Sequence, residues 1–202
     1  MGSRPVSATA QVLLMPVLAL TAWRLPRGRT RSWALAALTA SWLGDTLPRF
    51  VPEAQKIPVL IGCFTVAQLC WIVALWPTTR RQHRRANLAL ALGVLPSAWL
   101  VSLCLPTAGA LAPAVVVYAL LLLTTVSRAA SWGVLGVGGG VLFWISDSLI
   151  AVTTFVPRWR FGWSDLAIMP TYAIAQALLV AAVATRPRPS STGSPGDSGN
   201  IG

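Results

Sequence analysis

The sequence predicts an all-α fold, a polytopic bundle of transmembrane helices, and three observations carry that expectation. Of the 202 residues, 55% are hydrophobic and only 10% are charged, where a soluble domain usually carries about 25% charged residues. The mean hydropathy is +0.66, and one folded core cannot hide that much apolar surface from water. The apolar residues also fall into seven runs near the roughly 20 residues that a spanning helix needs. A soluble enzyme, a disulfide scaffold, a disordered chain and a coiled coil are all excluded.

The runs are taken in order. Residues 8–23 and 32–48 are short for a span, and no charged region, apolar stretch and cleavage site mark the first as a removable signal. It reads as a retained helix. Residues 57–76, 86–105 and 110–126 are separated by connections carrying Pro, Gly or Arg, which stop helices. Residues 130–155 contain Gly133, Gly136, Gly138, Gly139 and Gly140, and the G-xxx-G at 136 and 140 reads as close helix packing. It is not a phosphate loop, since no Lys-Ser/Thr follows and no strand precedes. Residues 163–184 form the last run. No long linker interrupts the series, so residues 1–185 read as one domain and 186–202, rich in Pro, Ser and Gly, as a disordered cytoplasmic tail.

The basic residues orient this bundle. Arg24, Arg27, Arg29, Arg31, Arg80, Arg81, Arg84, Arg85, Arg128, Arg186 and Arg188 fall on one side, eleven in all. Only Arg4, Arg49, Lys56, Arg158 and Arg160 fall on the other. The positive-inside rule then places the N-terminus outside and the C-terminus in the cytoplasm. One helix more or fewer in mid-chain would scramble the asymmetry. A net charge of +11 would suggest nucleic acid in a soluble protein, but here it serves orientation and no nucleic-acid partner is expected. Trp23, Trp33, Trp76, Trp132, Trp159 and Trp163 lie near run ends, as an aromatic belt does.

Chemistry has few candidates. Cys63, Cys70 and Cys104 sit in apolar stretches without metal-ligand spacing, and no metal or other cofactor is expected. The single histidine, His83, lies in the basic RRQHRR loop, and a retinal Schiff base would need a lysine in the last span, where there is none. That loop could hold anionic lipid head groups, although topology alone explains it equally well. Of the five acids, Glu53 and Asp197 lie outside the runs, and Asp165 sits where it can cap the last helix. Asp45 and Asp147 lie within spans, where a carboxylate is expensive and usually marks function.

At 1.5 Å per residue, Asp45 stands about 20 Å along the outward-running second span, and Asp147 about 12 Å short of the outer end of the sixth. Gln68, Tyr172 and Gln176 enter from the inward-running third and seventh spans. The expectation is a polar pocket in the outer half, floored by Gln68 and Gln176, with Arg49, Lys56, Arg158 and Arg160 at its mouth. Two carboxylates in such a pocket tend to share one proton, an arrangement suited to hydrolytic acid–base chemistry. Equally, each Asp could simply bond to Ser41, Ser146, Ser148 or a glutamine and lock the helices together.

At these residues the chain resembles the YhhN, or lysoplasmalogenase-like, membrane family. Leu142 to Phe155 (LFWISDSLIAVTTF) resembles the family's F-x-x-S-D-x-x-L-A, and Leu43-Gly44-Asp45 its L-G-D. Gly62 to Trp71 (GCFTVAQLCW) resembles G-x-x-x-F-x-x-A-H-x-x-Y, Tyr172 to Leu178 (YAIAQAL) resembles Y-x-x-A-Q-x-L, and Met15-Pro16 echoes a K-P. Gln68, Trp71 and Met15 replace a His, a Tyr and a Lys. The family pattern has eight spans, of which the first would be missing here.

The resemblance implies a hydrolase that cleaves the vinyl ether bond of a lysoplasmalogen, a membrane lipid substrate, to a fatty aldehyde and a glycerophospho-headgroup. It implies Asp45 and Asp147 as the catalytic acids, with Gln68, Tyr172, Gln176, Ser146, Arg49 and Lys56 as candidate substrate contacts. The reading from a different class is a small proton-coupled transporter or lipid-binding membrane protein that uses the same acids.

Overall fold

In the computed structural model the described residues are 15–159 and 164–185, and among them every regular element is helical. Residues 15–23 belong to the first helix, α1. It is followed by α2 (Arg29–Thr46), α3 (Glu53–Ala74), α4 (Arg80–Ala108), α5 (Ala112–Ala130), α6 (Val134–Phe155) and α7 (Ser164–Ala184). Short 3-10 turns at Leu47–Arg49, Gly109–Leu111 and Pro157–Trp159 carry the chain around three of the bends. The 186–202 tail, Arg4, Arg160, Trp163 and the beginning of the first apolar run lie outside the described residues, as does the Asp165 side chain.

Among the described residues, four stretches are long and apolar enough to cross a membrane: Glu53–Ala74, Arg80–Ala130, Val134–Phe155 and Ala167–Ala184. The second of these holds both α4 and α5. α2 stands apart for a chemical reason, since Arg29, Arg31 and Asp45 all lie within its 18 residues.

Local sequence explains the helix boundaries. α4 begins well before its apolar run because Thr79 and Gln82 form a capping box. The Gln82 amide donates to the Thr79 hydroxyl (3.3 Å), and the Thr79 amide donates to the Gln82 side chain (3.2 Å). The basic RRQHRR segment is therefore the first turns of a helix rather than a loop. α6 is preceded by Gly133, whose φ of +86° is left-handed backbone that favours glycine.

Short connections reverse the chain between helices, and contacts between elements set the arrangement. α2 packs on α3, α3 on α5, α5 on α6 and α6 on α7, with a smaller α2–α7 contact closing a ring. α4 lies outside that ring against α5 and α6. Glycines make the closest approaches. A Cβ on Gly136 would lie 2.0 Å from the Ala129 carbonyl oxygen of α5, and one on Gly139 would lie 3.0 Å from Leu179 of α7. The glycine-rich run thus presses α6 against a neighbour on each side.

The outer surface of α4 carries Leu88, Leu92, Leu95 and Trp99, all exposed and recurring at helical spacing. Large apolar side chains turned away from the core fit a lipid environment. At one end of the bundle, Arg31 stacks over Trp23 (4.7 Å) and Arg128 over Trp76 (4.6 Å). These pairings anchor cations beside interfacial aromatics.

Candidate active site

The five ring helices each contribute a polar side chain to the interior. Asp45 comes from the last turn of α2, Gln68 from α3, Asp147 from α6, and Tyr172 and Gln176 from α7, one turn apart. All five are buried. The fifth helix contributes Tyr118, in the apolar run VVVYALLLL. The sequence reading passed over it. Its one available signal was composition, for the chain holds only two tyrosines.

Those two tyrosines serve the two buried aspartates. The Tyr172 hydroxyl donates to Asp45 Oδ2 at 3.1 Å and lies 3.7 Å from Met15 Sδ. The Tyr118 hydroxyl donates to Asp147 Oδ2 and accepts from Gln68 Nε2 at 3.4 Å. Gln68, Tyr118 and Asp147 therefore form a chain of donors running from α3 through α5 to α6. Gln176 Nε2 donates to Ser41 Oγ at 3.1 Å, tying α7 to α2.

Aromatic rings join the two halves. Tyr172 meets Phe64 edge-on, with centroids 5.8 Å apart, and tilts against Phe143 at 5.9 Å. Gly44 makes room for this cluster, since a Cβ there would lie 2.7 Å from the Phe64 ring. The glycine of Leu43-Gly44-Asp45 thus has a packing role beside the carboxylate.

Among the described residues, two buried oxygens in this region, Gln68 Oε1 and Gln176 Oε1, accept no hydrogen bond, and the Trp71 Nε1–H donates none. Such groups are costly to bury unless something bonds to them, so they mark places where water or a polar ligand is favoured.

The remaining sequence candidates sit differently. The Ser146 hydroxyl is fully buried and donates to the Ile168 carbonyl of α7 at 3.4 Å, a helix-to-helix tie. Arg49 is exposed, and its Nε donates to the Asp45 carbonyl oxygen at 3.1 Å, capping the end of α2. Lys56 pairs with Glu53 at 2.5 Å one turn away on α3. Both cations stand at the same end of the bundle as Asp45. Among the described residues, no three His, Cys, Asp or Glu side chains gather as metal ligands would.

A cavity of about 80 Å³ adjoins Asp147 and Tyr118, lined by residues from the starts of α3 and α5 and the ends of α4 and α6. Asp45 is not among its lining residues.

Fold and site together define a helical membrane protein that buries two carboxylates, each held by a tyrosine, one of them beside an apolar cavity. Residues 6–183 match the YhhN family, and the chain belongs to that family. It is 30% identical over 187 residues to the lysoplasmalogenase TMEM86B of the mouse, Mus musculus, covering 91% of this chain and 79% of that protein. No solved structure matches it.

Proposed function

We propose that this protein is a lysoplasmalogenase-like hydrolase that opens the vinyl ether bond of a single-chain ether phospholipid by acid–base chemistry at Asp45 and Asp147. The observation that carries the proposal is the convergence of two buried carboxylates, each receiving a tyrosine hydroxyl, in a member of a family that includes a lysoplasmalogenase.

The chemistry runs in three steps. One carboxylic acid gives its proton to the enol ether carbon remote from oxygen, leaving an oxocarbenium ion that the other, ionised carboxylate stabilises. Water adds to the oxocarbenium carbon as that carboxylate takes its proton. The hemiacetal then collapses to a fatty aldehyde and the freed glycerol hydroxyl. Protons move through the two aspartates and both end as they began. Gln68 Oε1 and Gln176 Oε1 are available to bind the water, and Tyr118 and Tyr172 fix the carboxyl rotamers.

In the membrane we propose seven spans, with the N-terminus outside, the C-terminus and the 186–202 tail cytoplasmic, and the site in the outer half. The eleven-to-five asymmetry of basic residues supports this orientation. So does the placement of both Arg–Trp stacks at the end opposite Arg49 and Lys56.

The test is purified protein in nanodiscs with a 1-alkenyl lysophospholipid in heavy water, the aldehyde being trapped as a hydrazone. The expected product carries one solvent deuterium on the carbon next to the carbonyl. Absence of aldehyde, together with pH-driven uptake in sealed vesicles, would favour proton-coupled transport instead.

A further inference from the structure

The cavity beside Asp147 has two unlike walls. One is aliphatic, with Ile61, Leu100, Val115 and Ile150 among its residues, and the other presents Tyr118 and Asp147. It sits where α3 and α5 begin and α4 and α6 end, so it lies toward one end of the bundle. That end carries cations. Lys56 immediately precedes the lining residue Ile57, and exposed Arg158 follows closely after the lining residue Phe155.

Size narrows the occupant. One water needs roughly 10–15 Å³ on this measure, so about 80 Å³ accepts a handful of heavy atoms, the end of one chain rather than a whole lipid. Leu100 and Val101 of α4 and Ile150 and Ala151 of α6, all in the wall, are only half-buried, so a longer chain can continue between these helices toward the bilayer. Ser148 also lines the cavity, and its hydroxyl has no protein partner.

The two aspartates are unequal toward this space. Asp147 faces it. Asp45 does not line it, whereas Phe64 does, and Phe64 meets edge-on the ring of Tyr172, whose hydroxyl bonds to Asp45.

We infer that this cavity seats the reacting end of one hydrocarbon chain, with the phosphate of the same lipid toward Lys56 and Arg158, and that Asp147 is the acid that protonates carbon. The inference rests on the hydrolase reading and assigns the roles within it. The Asp147 proton forms the new C–H bond with the enol ether π electrons, and an oxygen lone pair closes the C=O⁺ bond. Asp45, which does not line the cavity, carries the negative charge that balances the cation. An intervening water relays to it the proton of the entering water. When the hemiacetal collapses, its hydroxyl proton returns to Asp147 and the Asp45 proton goes to the departing glycerol oxygen.

The experiment uses a lipid that cannot be cleaved, so that binding is read apart from turnover. A saturated 1-O-hexadecyl lysophosphocholine is titrated into the full-length protein in diacyl phosphatidylcholine nanodiscs, and its affinity is compared in Ala151→Phe and Ala119→Phe, which fill the cavity from α6 and α5. At least tenfold weaker binding in a variant that melts like the wild type is expected. Unchanged affinity in both variants overturns the inference. A diazirine placed near the ether end of the same lipid gives a readout that needs no variant. Adducts are expected within 100–104 or 150–154, and adducts confined to the exposed face at 88–95 overturn the assignment. If the saturated lipid binds in the cavity but no vinyl ether lipid yields aldehyde, the hydrolase reading fails and the cavity assignment stands. If aldehyde forms while the filled variants bind normally, the reverse holds.

Discussion

Replacing Tyr118 by Phe removes one oxygen and keeps the ring, so it isolates the hydroxyl that bridges Gln68 and Asp147. In water-soluble proteins a hydrogen bond to a charged group contributes about 1.5–3 kcal/mol, and a stranded buried donor costs about 1–3 kcal/mol. Two considerations lower that figure here. The Gln68 contact is long at 3.4 Å and therefore weak, and hydrogen bonds between membrane helices average only about 0.6 kcal/mol because the unfolded chain in lipid also finds partners. The stability cost is therefore about 1 kcal/mol, a shift of a few degrees in melting. The catalytic cost is larger. A carboxyl free to rotate away from the reacting carbon loses about 1.4–2.8 kcal/mol of positioning, or tenfold to a hundredfold in rate. The assay is aldehyde release in nanodiscs, with kcat and KM separated, beside a melting curve of the same preparation. The expected result is a fall in kcat with KM little changed and the fold intact. A Tyr118→Phe protein with wild-type kcat would refute the reasoning that this hydroxyl positions Asp147.

Other substitutions follow from the same contacts. Gly44→Ala puts a Cβ 2.7 Å from the Phe64 ring and 3.2 Å from Cys63 Cβ. The ring must shift off Tyr172, at an overpacking cost of about 1–3 kcal/mol, and activity should fall with Asp45 itself untouched. Gly136→Ala meets the Ala129 carbonyl at 2.0 Å, where backbone rather than a side chain must yield. The expected outcome is a lower melting temperature and poor yield, and a normal melt would argue against tight α5–α6 packing. Ser146→Ala removes only the tie to the Ile168 carbonyl. It should cost about 0.5–1.5 kcal/mol of stability and leave KM unchanged, whereas a tenfold rise in KM would put Ser146 at the substrate.

The helices were legible because each apolar run is bounded by Arg, Pro or Gly, and six of the seven predicted runs overlap observed helices closely. What hydropathy could not show was α4 starting at Arg80, since a capping box fixed by Thr79 and Gln82 carries the helix through a charged segment. Asp45, Gln68, Asp147, Tyr172 and Gln176 stood out as polar atoms in apolar surroundings, a contrast that survives folding because burial is what makes them costly. Tyr118 obeyed the same rule and was missed, because one hydroxyl on a large ring in VVVYALLLL barely changes local hydropathy. Which aspartate faces the cavity was beyond the sequence altogether. It depends on α3 packing against α5, two helices on, which puts Phe64 and Asp147 on the cavity and leaves Asp45 off it.

The most direct measurement compares aldehyde release from a 1-alkenyl lysophospholipid by the wild type, Asp45→Asn and Asp147→Asn in the same nanodiscs, each shown by melting to be folded. Loss of about a hundredfold or more is expected in each single variant, since removing either carboxyl breaks the acid–base pair. Full activity in either folded variant would contradict the paired-aspartate mechanism.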